Sequence, residues 1–121
     1  MTVPAELSSE SFCYLTTTGR VSGDEHTIEI WFALRGAGIY MLAGGRESAD
    51  WVRNLMAHPQ VRVRIGMAEF SGHARLVDEA EEEAWARAAL VAKYQGGYGG
   101  DLTNWGRTAL PVAVDLGTSV S

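Results

Sequence analysis

The chain has 121 residues, 46% apolar and 21% charged, which is enough for one real core and excludes disordered and fibrous classes. A net charge of −5, from ten basic and fifteen acidic side chains, leaves no polycationic footprint for nucleic acid or an anionic membrane surface. Fourteen glycines without a Gly-X-Y period call for turns, bulges or close backbone approach.

Taken in chain order, residues 1–11 read as an N-terminal arm with neither a basic nor an apolar leader segment, and no run approaches the roughly 18 apolar residues of a membrane span. The lone Cys13 cannot form an intrachain disulfide, so a reducing cytoplasm is the expected compartment. Phe12 to Thr18 (FCYLTTT) predicts a strand, closed by the Gly19 to Asp24 turn. Glu25 to Leu34 predicts one long half-buried strand, with Ile28, Ile30, Phe32 and Leu34 on one face and Thr27, Glu29, Trp31 and Ala33 on the other. Gly36-Ala37-Gly38 then reverses the chain into a strand over Ile39 to Ala43, completing a meander.

The period changes after Gly44-Gly45-Arg46. Trp51, Val52, Leu55 and Met56 fall at helical spacing, with Ser48 expected as N-cap and Pro59 as terminator. Val61 to Ile65 and Glu69 to Val77 predict a hairpin, and Asp78 with Glu81 predicts a capped helix through Lys93, ended by Gly96-Gly97. A short helix around Leu102 to Trp105 and a last strand over Leu110 to Leu116, with Pro111 near its start, complete the chain before a tail over 117–121. Six strands joined mostly as hairpins, with helices after the third and fifth, predict a single mainly-β domain, an antiparallel split barrel with flanking helices.

The segment Met41 to Trp51 carries the best candidate site. Two glycines lead from a strand into a helix N-terminus, where free N–H groups favour an anion and Arg46 adds a fork suited to phosphate; the bland alternative is a glycine loop that merely joins strand to helix. Thr16-Thr17-Thr18-Gly19-Arg20 offers hydroxyls and another guanidinium, although Thr-rich strands and glycine turns occur in any β protein. Arg62 and Arg64 share a strand face that is either an anion-binding groove or simply solvated. Tyr94 and Tyr98 could reach over a pocket as donors. His26, His58 and His73 stand too far apart, with one cysteine, to predict a metal centre.

TTTGRVSG, HTIEIWF, LAGGRESADWVRNL, HPQVRVRIG and ALPVAVDL together make the chain resemble the deazaflavin-dependent nitroreductase and quinone reductase family. That family lies among the split-barrel flavin and deazaflavin oxidoreductases of actinobacteria, related to the pyridoxamine-phosphate oxidase fold. The resemblance spans about residues 12–116 and implies coenzyme F420 as cofactor. It implies Thr18 and Arg20 at the cofactor tail, Ala43, Gly44, Gly45 and Arg46 at the ring and phosphate, and Ser48, Trp51 and Asn54 at the adjoining helix start. Tyr94 and Tyr98 are the expected acceptor-site wall or proton donors, and a homodimer is the expected assembly. Many members carry Lys where this chain has Val21, so Arg46, Arg53, Arg62 or Arg64 would have to supply the missing charge. The expected reaction is hydride transfer to a quinone, nitroaromatic or enone. An FMN-binding oxidoreductase of the same fold and a non-catalytic cofactor or apolar-ligand binder are the alternatives.

Overall fold

The computed structural model describes residues 3–119. Strands β1 (Cys13–Thr18), β2 (Glu25–Ile30), β3 (Ala33–Arg35), β4 (Gly38–Ala43), β5 (Gln60–Ile65), β6 (Ala68–Leu76) and β7 (Leu110–Ser119) form one antiparallel sheet in the order β2-β1-β5-β6-β7-β4-β3. Helix α1 (Asp50–Ala57) follows β4, α2 (Ala80–Tyr94) follows β6, and α3 (Thr103–Thr108) leads into β7. The strand count is seven rather than six because the long strand expected over Glu25 to Leu34 breaks at Trp31-Phe32.

That break organises the fold. β2 and β3 sit at opposite ends of the strand order, yet only two residues separate them in the chain. A flat sheet cannot bring its ends so close, so the sheet curls into a split barrel with the bend at Trp31-Phe32 as its seam. β2 pairs only with β1 (Leu15 opposite Ile28), and β3 only with β4 (Leu34 opposite Ile39), so the expected three-strand meander is two separate hairpins. The predicted alternation survives the bend: Ile28, Ile30, Phe32 and Leu34 pack against one core, Trp31 and Ala33 against another.

The first core fills the barrel with Leu15, Phe32, Ile39, Met41, Val63 and Val112, closed at one end by Val52 and Leu55 of α1. The second lies outside, where Ala86 and Leu90 of α2 cover Ala33, Tyr40, Leu42 and Ala113. β4 faces both cores, and all six of its residues are buried. Cys13 is fully buried in the barrel, where desolvation pushes its thiol up to about 12. Among the described residues no helix is long and apolar enough to cross a membrane.

Two helix caps differ from expectation. Ala49, not Ser48, occupies the N-cap of α1 and supplies no side-chain bond, because residues 46–48 wind into a 3₁₀ turn in which Ser48 N–H donates to Gly45 O at 3.1 Å. For α2 the cap is Glu79 rather than Asp78: its carboxylate accepts from the N–H groups of Glu81 and Glu82 at 2.5 and 3.4 Å.

Candidate functional site

The β1–β2 turn is closed by Gly19 N–H donating to Asp24 O at 2.7 Å and Gly23 N–H donating to Gly19 O at 2.9 Å. A Cβ on Gly19 would stand 2.9 Å from Nε2 of His26 and 3.1 Å from Asp24 O, so a side chain there would displace the His26 ring and crowd the turn. The turn holds Arg20 against α1. Its backbone N–H and its Nη1 both donate to Oδ1 of Asn54, at 3.1 and 2.8 Å, and its Nη2 reaches Oδ1 of Asp50 at 3.2 Å. Asn54 is only 5% exposed, so burying its amide is offset by those two bonds. The helix thereby presents Asp50, Trp51 and Asn54 to the turn, one and four residues apart on its first turns.

Between them runs a cleft of about 440 Å³ lined by Thr17, Arg20, Ile28, Trp51 and Asn54 among others. Its surface is largely apolar, and its charged groups are Arg20 and the Asp50 that pairs with it. Thr17 faces this cleft and is 2% exposed, whereas Thr18, its neighbour on an alternating strand, opens on the opposite side beside Arg62 and Glu25. Arg20, Trp51 and Asn54 are therefore the predicted cofactor residues that the fold brings together here. Ala43 is buried at the end of β4, and Gly44 to Ser48 form an exposed loop beyond it.

That loop is held from two sides. Arg46, at φ +52°, donates to Thr108 O and pairs with Glu47 at 3.4 Å, while Nε of Arg53 donates to Glu47 O at 3.3 Å. Arg62 makes a two-pronged pair with Glu25 at 2.6 and 3.1 Å, holding the carboxyl of Glu25 below its usual range. Arg64 lies 4.3 Å over the Tyr14 ring and donates to Gly66 O. Of Arg20 and the four arginines expected to supply the missing charge, Arg46, Arg53, Arg62 and Arg64, only Arg20 lines the cleft.

A separate aromatic cavity of about 470 Å³ lies farther along β2, where Ile30, two residues on from Ile28, is part of its lining. Its walls include Trp31, Leu42, Tyr98 and Trp105. Trp31 is the hub: it stacks on Tyr94 with centroids 4.3 Å apart and meets Tyr98 and Trp105 edge-on at 5.8 and 5.7 Å. The Tyr94 hydroxyl accepts from Phe32 N–H at 3.0 Å and lies 2.9 and 3.2 Å from the carbonyls of Ser11 and Phe32, and burial pushes it up to about 12. Tyr98 is 48% exposed, and among the described residues its hydroxyl has no hydrogen-bond partner. Sequence reasoning missed Trp31 as the hub and Lys93 beside it. The signal available for Trp31 was its place on the face opposite Ile30 and Phe32.

No curated protein matches the sequence significantly. Among solved structures, an F420-H2 dependent reductase superposes with a TM-score of 0.70 at 21% identity, covering 86% of this chain and 93% of that one. A pyridoxamine 5'-phosphate oxidase homologue from Listeria innocua gives 0.71 at 17% identity, covering 95% and 90%. A chain described as a domain-swapped dimer gives 0.69 at 22% identity, covering 86% and 79%. These likenesses establish the split-barrel fold. The sequence profile of the F420H(2)-dependent quinone reductases matches residues 2–117, so the chain belongs to that family of oxidoreductases, whose cofactor is coenzyme F420.

Proposed function

We propose that the protein holds F420 along the cleft between the β1–β2 turn and α1 and reduces a small planar acceptor, a quinone, nitroaromatic or enone, seated against Trp31, Tyr98 and Trp105. The observation that carries this reading is a largely apolar cleft holding Arg20, with an aromatic cavity two residues farther along β2, the first lined by Ile28 and the second by Ile30. The residues fit the cofactor's chemistry: Ile28 and Trp51 offer apolar surface to a planar ring, and Arg20 offers a fork to a phosphate or carboxylate. When bound, the reduced deazaflavin supplies the hydride.

The chain's own residues bind, orient and exclude water. Arg20 is pre-aimed by Asn54, so little side-chain entropy remains to be lost when an anion arrives. Its pair with Asp50 is only a weak competitor, because the Asp50 side chain is 85% exposed and such surface pairs contribute little. The loop after Ala43 is tied to α3 through Arg46 and Thr108 O, with Gly44 beside the Trp105 ring that lines the aromatic cavity. Thr18 would contribute to this site only from the far side of β1. Tyr94 fixes the Trp31 wall through its backbone bonds, and Tyr98 is the side chain with a hydroxyl left to donate to an acceptor oxygen. A homodimer belongs to this reading, supported by the domain-swapped dimer among its structural neighbours.

The test is a titration of purified protein with F420 and, separately, FMN, followed by turnover of F420H2 on neutral quinones and nitroaromatics. Binding of F420 with turnover on one of these classes supports the proposal. Tight binding of FMN with none of F420 sinks it.

A further inference from the structure

Lys93 is the only lysine in the sequence, and it has an unusual position for one. It sits in the last turn of α2, half-buried, with Nζ donating to Phe32 O at 3.0 Å and lying 3.7 Å from the centroid of the Phe32 ring. Among the described residues no carboxylate pairs with it. An ammonium carries three donors, and a half-buried one satisfied by a single carbonyl calls for further oxygen atoms. Desolvation already pulls its pKa below the ordinary lysine value.

The space beside it is a cavity of about 400 Å³ next to the aromatic one described above, bounded also by Ser11, Phe12, Trp31, Tyr94 and Tyr98. Trp31, Phe12 and Tyr98 line both cavities. Phe12 and Tyr98 leave 41% and 48% of their surfaces exposed, large apolar rings at the mouth of a hole with a cation inside. A flat aromatic body would cover those rings, and an oxygen-bearing anionic group on it would meet the ammonium.

We infer that this cavity is a binding site for planar aromatic compounds carrying a carboxylate or an acidic hydroxyl, with Lys93 as the residue that selects the anionic end. The inference deepens the acceptor assignment above and rests on it for its catalytic meaning, because it makes anionic naphthoquinone-type acceptors better substrates than their cationic counterparts. As a binding site it stands on Lys93 and the rings alone.

The test uses redox-inert probes and the full chain without cofactor. Calorimetric titration with 2-naphthoate and with 2-naphthamide, its neutral isostere, should show the acid binding at least about tenfold more tightly. Lys93→Met, which keeps the apolar stem, should bring the two to parity, and Lys93→Arg should retain the preference. Equal binding of acid and amide by the wild type, or no measurable binding of either, overturns the inference; so does a Lys93→Met protein that keeps the preference. A second readout needs no variant. Since the chain has one lysine, amine-directed acylation followed by peptide mass analysis reports on that side chain alone, and saturating 2-naphthoate should slow its modification severalfold. Unchanged labelling contradicts the proposal even if Lys93→Met fails to fold. Loss of F420 binding with naphthoate protection intact would remove the acceptor reading and leave this site standing; the reverse pattern would remove this site alone.

Discussion

Arg20 and Asn54 show what a short motif encodes. TTTGR and W-x-x-NL lie more than thirty residues apart in sequence, yet one buried amide oxygen binds the backbone and the guanidinium of the same arginine. Replacing Arg20 with Ala should weaken F420 binding by about 1–3 kcal/mol, as expected for lost hydrogen bonds to a charged group. Asn54→Ala should weaken it less while also lowering thermal stability, because it leaves Arg20 unaimed; calorimetry and a melting curve separate the two effects. Asp50→Asn should tighten binding modestly, up to about fivefold, by removing a surface counter-ion that competes for Arg20. A weaker complex in that variant would show that Asp50 orients Arg20 rather than competing for it. Arg20, Asn54 and Lys93 differ in legibility. The motif pointed to Arg20 and Asn54, but their mutual bond depends on the meeting of a turn and a helix that no local pattern records. Lys93 was passed over because a lysine near a helix C-terminus ordinarily reads as a solvated charge complementing the dipole; only the placement of Phe32 at the barrel seam buries it.

At the scale of elements, strand alternation carried furthest. The faces assigned to Ile28, Ile30, Phe32, Leu34, Trp31 and Ala33 are the observed ones, although the strand bearing them changes partners midway. The change was not legible because alternation continues through a bend without a mark, and each half of the broken strand still pairs with its neighbour in the chain, β2 with β1 and β3 with β4. The caps missed by one residue for a related reason: a 3₁₀ turn displaces Ser48 from α1, and Glu79 reaches two N–H groups that Asp78 does not. Close approach between β6 and β7 gives an element-scale prediction. A Cβ on Gly72 would lie 2.5 Å from Cγ1 of Val114 and 3.0 Å from Asp115 O, where a bulge interrupts the β6–β7 register. Gly72→Ala should destabilise the fold by about 1–3 kcal/mol in denaturant unfolding, the usual cost of overpacking. An unchanged midpoint would mean that the β6–β7 ladder yields without cost.

α2 is fastened to the sheet by a charged network at its start. Arg75 bridges Glu82, at 2.8 and 2.6 Å, and Asp115, at 2.7 and 3.2 Å, and the Tyr40 hydroxyl donates to Glu82 as well. The Arg75 guanidinium, with help from Tyr40, lowers the Glu82 carboxyl to about 2. A carboxyl whose folded pKa is depressed stabilises the fold above its unfolded value near 4.5 and loses that contribution as pH falls toward 2. Glu82→Gln should therefore be less stable than the wild type at neutral pH and converge with it near pH 2. Parallel stability curves across that window would rule out this linkage.

For the whole molecule, the seam explains how a small acidic chain builds a cofactor enzyme. Curling the sheet until β2 comes close to β3 places Ile28 in the cleft beside Arg20 and Ile30 in the aromatic cavity, with Trp31 on the α2–α3 side, so the residues of one bent strand serve cleft, barrel core and aromatic cavity in turn. Composition bounded the class and hairpin signals gave the barrel, while the meeting of its two ends required pairings read only in three dimensions. The assembly expectation is checked at this scale: sedimentation equilibrium should return twice the chain mass at micromolar concentration, and a monomer there would remove the dimer from the account.

The most direct measurement of the central claim is the affinity of F420 for the wild-type chain and for Arg20→Ala and Arg46→Ala, titrated side by side with FMN. The account predicts that the wild type binds F420 in preference to FMN and that Arg20→Ala weakens the complex by about 1–3 kcal/mol, with a loss at Arg46→Ala that reflects the freed loop. Unchanged F420 affinity in both variants, or tighter binding of FMN than of F420 by the wild type, would contradict it.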